Sequence, residues 1–225
     1  MIIAIDGPSG AGKSTLGKML AKSLGLLYLD TGAMYRAVGL AVFESGKDFY
    51  DAETVIEIAR SSKIELVGEP ENLRVLLNGK DVSSKIRTNE VGQMASIVST
   101  VSEVRKILVE HQRTLGQNSP NGCVLDGRDI GTVVFPNADV KFFLTAKPEA
   151  RAQRRYAEDL QRGRITTYEE TLAEINLRDE RDVSREDSPL SIAEDAVVID
   201  TSELNLTEVY EQMLAIVREK QNSKL

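Results

Sequence analysis

Residues 2–14 constrain what this chain can become more than any other stretch. Ile2-Ile3-Ala4-Ile5 reads as a short buried strand, and it runs through Asp6 into Gly7-Pro8-Ser9-Gly10-Ala11-Gly12-Lys13-Ser14. That spacing fits G-x-x-x-x-G-K-[ST], and Leu16, Met19, Leu20 and Leu24 then recur at helical intervals up to a stop at Gly25. A strand, a glycine-rich turn and a helix in that order make a P-loop. Its curled backbone and the helix N-terminus aim N–H groups at phosphate oxygens. The donor site is expected at Gly7, Pro8, Ser9, Gly10, Ala11, Gly12, Lys13, Ser14 and Thr15, with ATP as the phosphoryl donor. Lys13, expected to face solvent, can reach the β- and γ-phosphates, and the Ser14 hydroxyl can ligate Mg²⁺. A dinucleotide fingerprint is excluded, because Thr15 stands where the third glycine of G-x-G-x-x-G would fall.

Downstream, apolar runs predict strands at 26–29, 123–125, 140–144 and 196–200. Helical patterns cover 34–44, 52–61, 90–116, 149–161 and 168–182. A closing helix starts at a capping box formed by Asn205 and Glu208. Five short apolar strands separated by helices predict an α/β fold with a mostly parallel sheet covered on both faces. Between residues 63 and 82 the character changes. Strands at 64–67, 73–77 and 80–82, with Asn78-Gly79 as a hairpin turn, predict a small β-rich insertion. Ligands in such folds bind at the carboxyl ends of the strands, where Asp6-Gly7, Asp30 and Asp126 all fall.

At 225 residues the chain suits one domain of ordinary size with room for that insertion. A formal charge of −7 argues against a nucleic-acid polymer as partner. Small anions are a different matter, because nine arginines and only two lysines (Lys141 and Lys147) lie between Arg128 and Arg185. The single cysteine, Cys123, excludes an internal disulfide and reads as a buried strand residue. The apolar run at the N-terminus is too short for a signal peptide, and no stretch is long and apolar enough to span a membrane. The cytoplasm is the expected address.

A P-loop alone leaves the acceptor undefined, although no guanine-reading Asn-Lys-x-Asp pattern is present. Three polar clusters narrow it. They are Asp30-Thr31-Gly32-Ala33-Met34-Tyr35-Arg36, then Asp126-Gly127-Arg128-Asp129 running on to Pro136, and Arg178-Asp179-Glu180-Arg181-Asp182-Val183-Ser184-Arg185. Arg36, Arg128 and Arg185 are candidates to hold an acceptor phosphate, since guanidinium forks match phosphate oxygens. Arg178, Arg181 and Arg185 share one helix face if the helix persists that far. Asp126, Asp129 and Asp182 could serve ribose hydroxyls, a base amino group or Mg²⁺ hydration; for Asp182 an intrahelical pair competes. Arg151, Arg154 and Arg155 either approach the phosphates on closure or form a solvated face paired with Glu149 and Glu158. The one histidine, His111, reads as an ordinary helix residue, and phosphoryl transfer requires no histidine base.

These segments resemble bacterial cytidylate kinases, the (d)CMP kinase family, along essentially the whole chain. The matching stretches are 6–15, 30–36, the β-rich insert, 86–105, 126–136 and 178–190. The resemblance implies a P-loop core (about 1–36, 106–147 and 167–225), an acceptor-binding insert (about 37–105) and a short helical lid (about 148–166). It implies transfer of the γ-phosphoryl group of ATP to CMP or dCMP by a monomer needing Mg²⁺, with no nucleic-acid or membrane partner. Ser96, Arg105 and Asp129 look like the cytosine-reading residues. Arg36, Arg128 and Arg185 look like the acceptor-phosphate clamp, and Arg178 with Asp182 the ribose contacts. Thr31, Tyr35 and Asp126 complete the implied substrate site, and Lys13, Arg128, Arg154 and Arg155 the catalytic set. Two other readings share the P-loop: a kinase of a non-nucleotide acceptor such as shikimate, and a protein that senses ATP without turning it over.

Overall fold

The computed structural model describes residues 1–223, so Lys224 and Leu225, the end of the 167–225 segment, lie outside the described residues. The chain runs β1 (Ile2–Asp6), α1 (Lys13–Leu24), β2 (Leu27–Asp30), α2 (Thr31–Ser45), α3 (Ala52–Ser61), β3 (Ile64–Val67), β4 (Arg74–Leu77) and β5 (Lys80–Asp81). It continues α4 (Asn89–Val98), α5 (Ser102–Gln117), β6 (Cys123–Asp126), β7 (Val140–Thr145), α6 (Pro148–Gln161), α7 (Tyr168–Ser184), β8 (Val197–Asp200) and α8 (Leu206–Asn222). One sheet has the order β2-β6-β1-β7-β8 and every pairing in it is parallel. The other, β3-β4-β5, is antiparallel.

Strand alternation distributes the core between the two faces of the large sheet. Ile3, Ile5, Val124, Phe142 and Leu144 point toward Leu16 and Leu20 of α1 and Val209, Met213 and Val217 of α8. Ala4, Cys123 and Leu125 point the other way, toward Val109 of α5 and Ile130, Val134 and Phe135. A third cluster, around Met34, Val38, Val55, Val75, Ile86 and Leu108, joins α2 to α5 with the small sheet. Leu20 is fully buried, so Leu20→Ala should cost ~2–5 kcal/mol. Cys123 is buried, and burial pushes its thiol up to about 11.

Three local departures from the sequence expectations have physical causes. Helix α2 begins at Thr31 rather than near residue 34, because the Asp30 carboxylate accepts from Ala33 N at 2.9 Å and caps it. The pattern over 90–116 is two helices, not one. Ser99 and Thr100 turn their hydroxyls back onto the carbonyls of Ser96 and Ile97, at 2.8 Å each, and Val101 is extended. Helix α7 ends at Ser184, and Arg185 is its extended cap. The hairpin at Asn78-Gly79 forms as expected, with both residues at positive φ (50° and 78°). The divisions near residues 36 and 105 fall inside α2 and α5, which are continuous there.

Candidate active site

Register places the reactive residues. Asp30 pairs with Asp126 across β2 and β6, Ile5 pairs with Asp126 across β1 and β6, and all three strands end at the same edge. The P-loop follows β1 directly. A Cβ on Gly7 would lie 2.0 Å from the Leu144 carbonyl oxygen, so only glycine lets the loop pass the end of β7. Gly12, at φ 91°, turns the chain into α1.

Lys13 does not face solvent. It is 6% exposed, and its ammonium donates to the Pro8 carbonyl at 2.7 Å, spanning the loop it belongs to. Burial, reinforced by Arg128, drives its pKa well below the ordinary lysine value, while Asp126 opposes the shift. The reason is geometric: the P-loop curls over the start of α1, so the side chain of its first residue lies inside the curl.

Beside it, Ser14 Oγ donates to Asp126 Oδ2 at 2.7 Å and Tyr28 OH to Asp126 Oδ1 at 2.8 Å. Thr31 Oγ1 donates to the Asp126 carbonyl at 2.7 Å. Burial, together with the neighbouring Asp30 carboxylate, pushes Asp126 up to about 6. Burial acts most strongly on Asp30, but Arg87, which donates to it at 2.7 Å, together with the Ala33 amide and Arg36 holds it below the usual carboxylate value. A hydroxyl and a carboxylate side by side at a P-loop are hard oxygen ligands of the kind Mg²⁺ takes from protein, leaving phosphates to complete its shell.

The arginines gather as the three clusters suggested, with one exception. Arg128 Nε donates to Asp182 Oδ2 at 2.6 Å, and Arg185 Nη1 lies 3.9 Å from Asp182 Oδ1. Asp182 thus pairs mainly across elements rather than along its own helix. Arg36 donates to the carbonyls of Ile86 and Thr88 at 3.0 and 3.4 Å. Burial, then the charge of Arg178, lowers Arg36 to about 9; burial, then Arg128, lowers Arg178 to about 10. Arg178 Nε and Arg185 Nη2 are buried donors with no partner among the described residues. Arg181 is the exception. Its side chain makes no hydrogen bond or ion pair among the described residues, although α7 runs on through it to Ser184.

A second set adjoins these charges. Arg105 Nη2 donates to Asp129 Oδ2 at 2.5 Å, and its Nη1 reaches the Ser99 carbonyl at 3.3 Å across the break between α4 and α5. The Arg105 guanidinium carbon stands 5.4 Å from the centre of the Tyr35 ring. Burial pushes the Tyr35 phenol up to about 12. Ser96 Oγ, Arg105 Nε and Tyr35 OH are buried without partners among the described residues. Buried polar atoms are nearly always satisfied in folded proteins, so orphans at Arg105 and the Tyr35 beside it mark a place built for a polar ligand.

In the helix expected as a lid, Arg151, Arg154 and Arg155 do not pair with Glu149 or Glu158 but turn inward to other partners. Arg151 is buried, donates to Asp179 at 3.1 and 2.5 Å and to the Ser9 and Ala146 carbonyls, and so pins the P-loop to α7. Arg154 donates to Thr201 Oγ1 at 3.0 Å and to the Thr201 carbonyl, and the Thr201 hydroxyl faces the Ala11 carbonyl. Arg155 bonds Asp159 and Asn89. Sequence reasoning missed these partners, and it also missed Asp6, which accepts from Ile130 N at 2.8 Å and Gly131 N at 2.7 Å. Asp6 thereby holds the π-helical turn Ile130–Val134 that follows Asp129. Its place at a strand end was the only signal.

The family model for cytidylate kinase matches residues 3–219 of the chain. The chain belongs to the cytidylate kinase family. A cytidylate kinase from Citrifermentans bemidjiense is 49% identical over 98% of this chain and 94% of its own length. One from Caldanaerobacter subterraneus subsp. tengcongensis is also 49% identical, over 99% and 97%. A Bacillus subtilis cytidylate kinase is 45% identical over 97% and 96%. Membership of the cytidylate kinase family spans the P-loop, the small sheet and both arginine-bearing helices alike.

Proposed function

We propose that this chain transfers the γ-phosphoryl group of ATP to CMP or dCMP, giving ADP and CDP or dCDP. One arrangement supports that reading above all: a P-loop, four half-buried arginines and the buried Arg105–Asp129 pair lie together at the carboxyl edge of one parallel sheet. Donor, acceptor phosphate and base are each given a chemically matched place. Residues 7–15 hold the ATP phosphates, residues 37–105 bring Ser96 and Arg105 to the acceptor site and residues 148–166 act as the lid.

Loose phosphoryl transfer asks a protein for positioning and charge rather than a base. Arg36, Arg128 and Arg185 grip the acceptor phosphate, with Arg178 and Asp182 beside the ribose, and Thr31 and Tyr35 wall the site. Asp129 accepts from the cytosine amino group, while Arg105 and Ser96 meet the ring acceptors. Lys13 leaves the Pro8 carbonyl for the β- and γ-phosphates. Arg154 and Arg155 approach from the lid and share the developing charge. Ser14 and Asp126 would hold Mg²⁺, which would supply positive charge against the phosphates. For Asp126 this favours metal hydration over the ribose and base roles open to it from sequence.

We take a monomer as the working unit. We place the reaction in the cytoplasm, within pyrimidine nucleotide metabolism. No helix among the described residues is long and apolar enough to cross a membrane, and the net charge of −7 disfavours a polynucleotide partner. ADP release measured with ATP and each nucleoside monophosphate in turn tests the reading. CMP and dCMP should be turned over rapidly and AMP and GMP barely. Equal background ADP release with every acceptor would overturn it.

A further inference from the structure

Asp159 is fully buried, an expensive place for a carboxylate unless it is paired and hydrogen-bonded. Its Oδ1 accepts from Arg164 Nη1 at 2.7 Å, and its Oδ2 from Arg155 Nε at 3.2 Å and Asn89 Nδ2 at 3.5 Å. Asn89 Oδ1 in turn accepts from Arg155 Nη2, and from Arg164 Nη1 at 3.0 Å. Arg164 Nη2 donates to the Arg87 carbonyl at 2.5 Å. Through this one carboxylate the end of α6 and the loop after it are joined to the first turn of α4, on the other side of the acceptor site.

The bonds on Arg155 are selective. Nε and Nη2 are taken by Asp159 and Asn89, while Nη1 makes no hydrogen bond among the described residues. The same guanidinium stands near enough to Arg36 and Arg178 to lower the pKa of each. Two arginines share the single carboxylate of Asp159, so one positive charge of the cluster has no carboxylate of its own. An arginine with two nitrogens fixed has already lost most of its rotamer freedom, so little ordering is left for the reaction step.

We propose that Asp159, with Asn89, is a positioning residue for phosphoryl transfer: it holds Arg155 by two nitrogens so that the third is presented to the transferring phosphate. The clasp also makes that presentation depend on the lid and the acceptor-binding insert being together. This rests on Arg155 acting at the phosphates, and the experiment separates the two ideas.

Steady-state kinetics and thermal unfolding are measured for Asp159→Asn, Asn89→Ala, Arg155→Ala and both double variants with Arg155→Ala. Asp159→Asn should lower kcat about tenfold with KM for CMP within about twofold, since a misplaced group costs rate more than ground-state binding. Asn89→Ala, which leaves the buried carboxylate in place, should lower kcat about threefold in the same way. In the Arg155→Ala background neither change should lower kcat further by more than about twofold. If Asp159→Asn fails to fold, the Asn89 pair carries the test. A loss of kcat by the same factor with Arg155 present or absent would make the clasp merely structural and overturn the proposal. Loss in Arg155→Ala with none in Asp159→Asn or Asn89→Ala would overturn it while sparing the lid assignment. Unchanged kcat in Arg155→Ala would overturn both.

Discussion

Arg105 and Asp129, from α5 and from the loop after β6, meet at 2.5 Å as one buried pair, and the Arg105 Nε beside them has no partner among the described residues. Only one Asp129 oxygen is used by the arginine, which leaves the other for a donor such as the cytosine amino group. Uracil replaces that amino group with a carbonyl, setting two acceptors against each other, and sites of this kind discriminate by several kcal/mol. The chain should therefore favour CMP and dCMP over UMP widely. Asp129→Ala should lower kcat/KM for CMP far more than for UMP. It should lower UMP somewhat too, since Arg105 loses its counter-charge. An equal loss for both nucleotides would assign Asp129 to phosphate or metal instead of the base. Arg105→Ala should weaken both pyrimidines, which share the C2 carbonyl.

Lys13 offers a sharper test now that its surroundings are known. Lys13→Met removes the charge and keeps the stem, so turnover should fall by ~10²–10³. The ammonium is buried and its charged form is disfavoured there, so the thermal midpoint should hold or rise. Near-normal turnover in this variant would sink the donor-site assignment.

Arg151 and Arg154 are three residues apart and should fail differently. Arg151→Ala strands the Asp179 carboxylate and frees the P-loop at Ser9, so it should cost ~3–5 kcal/mol in unfolding free energy. Arg154→Ala should leave stability nearly intact and lower kcat more than it weakens ATP binding. Equal thermal midpoints for the two variants would refute this division.

Asp6 gives the molecule a pH signature. Burial pushes its carboxyl from 3.8 up to about 6, although the Ile130 and Gly131 amides pull the other way. A folded pKa above the unfolded one means that its contribution to stability is complete below pH 3.8 and is lost as pH rises through about 6. The loss is on the order of 3 kcal/mol. Asp6→Asn does not titrate. The wild-type chain should thus lose stability relative to Asp6→Asn between pH 4 and pH 7, read as a difference in thermal midpoint. A difference that stays constant across that range would contradict it. Because an amide has one acceptor for two backbone donors, Asp6→Asn should also raise KM for CMP.

What could be read in advance divides by distance along the chain. The P-loop, the five strands of the large sheet and the Asn78-Gly79 hairpin are written in contiguous residues, where apolar runs and turn chemistry speak for themselves. The break at Ser99–Val101 was hidden because the apolar period resumes in phase on the far side. The inward direction of Lys13 depends on the curl of a loop whose path no pattern encodes. The partners of Arg151, Arg154 and Arg155 include Asp179, Thr201 and Asn89, 28 to 66 residues away, and local spacing pointed instead to nearby Glu149 and Glu158.

The crowding of Arg36, Arg128, Arg178 and Arg185 has a consequence outside catalysis. Like charges confined in a poorly hydrated space push the folded chain apart; Asp182 offsets those of Arg128 and Arg185 in part, and a bound polyanion would relieve the rest. The molecule therefore owes part of its cohesion to its own reactant. By mass action, ligation of the native form slows every process that needs the chain opened, proteolysis included. Resistance to proteolysis should then rise with the fraction of chain that holds nucleotide.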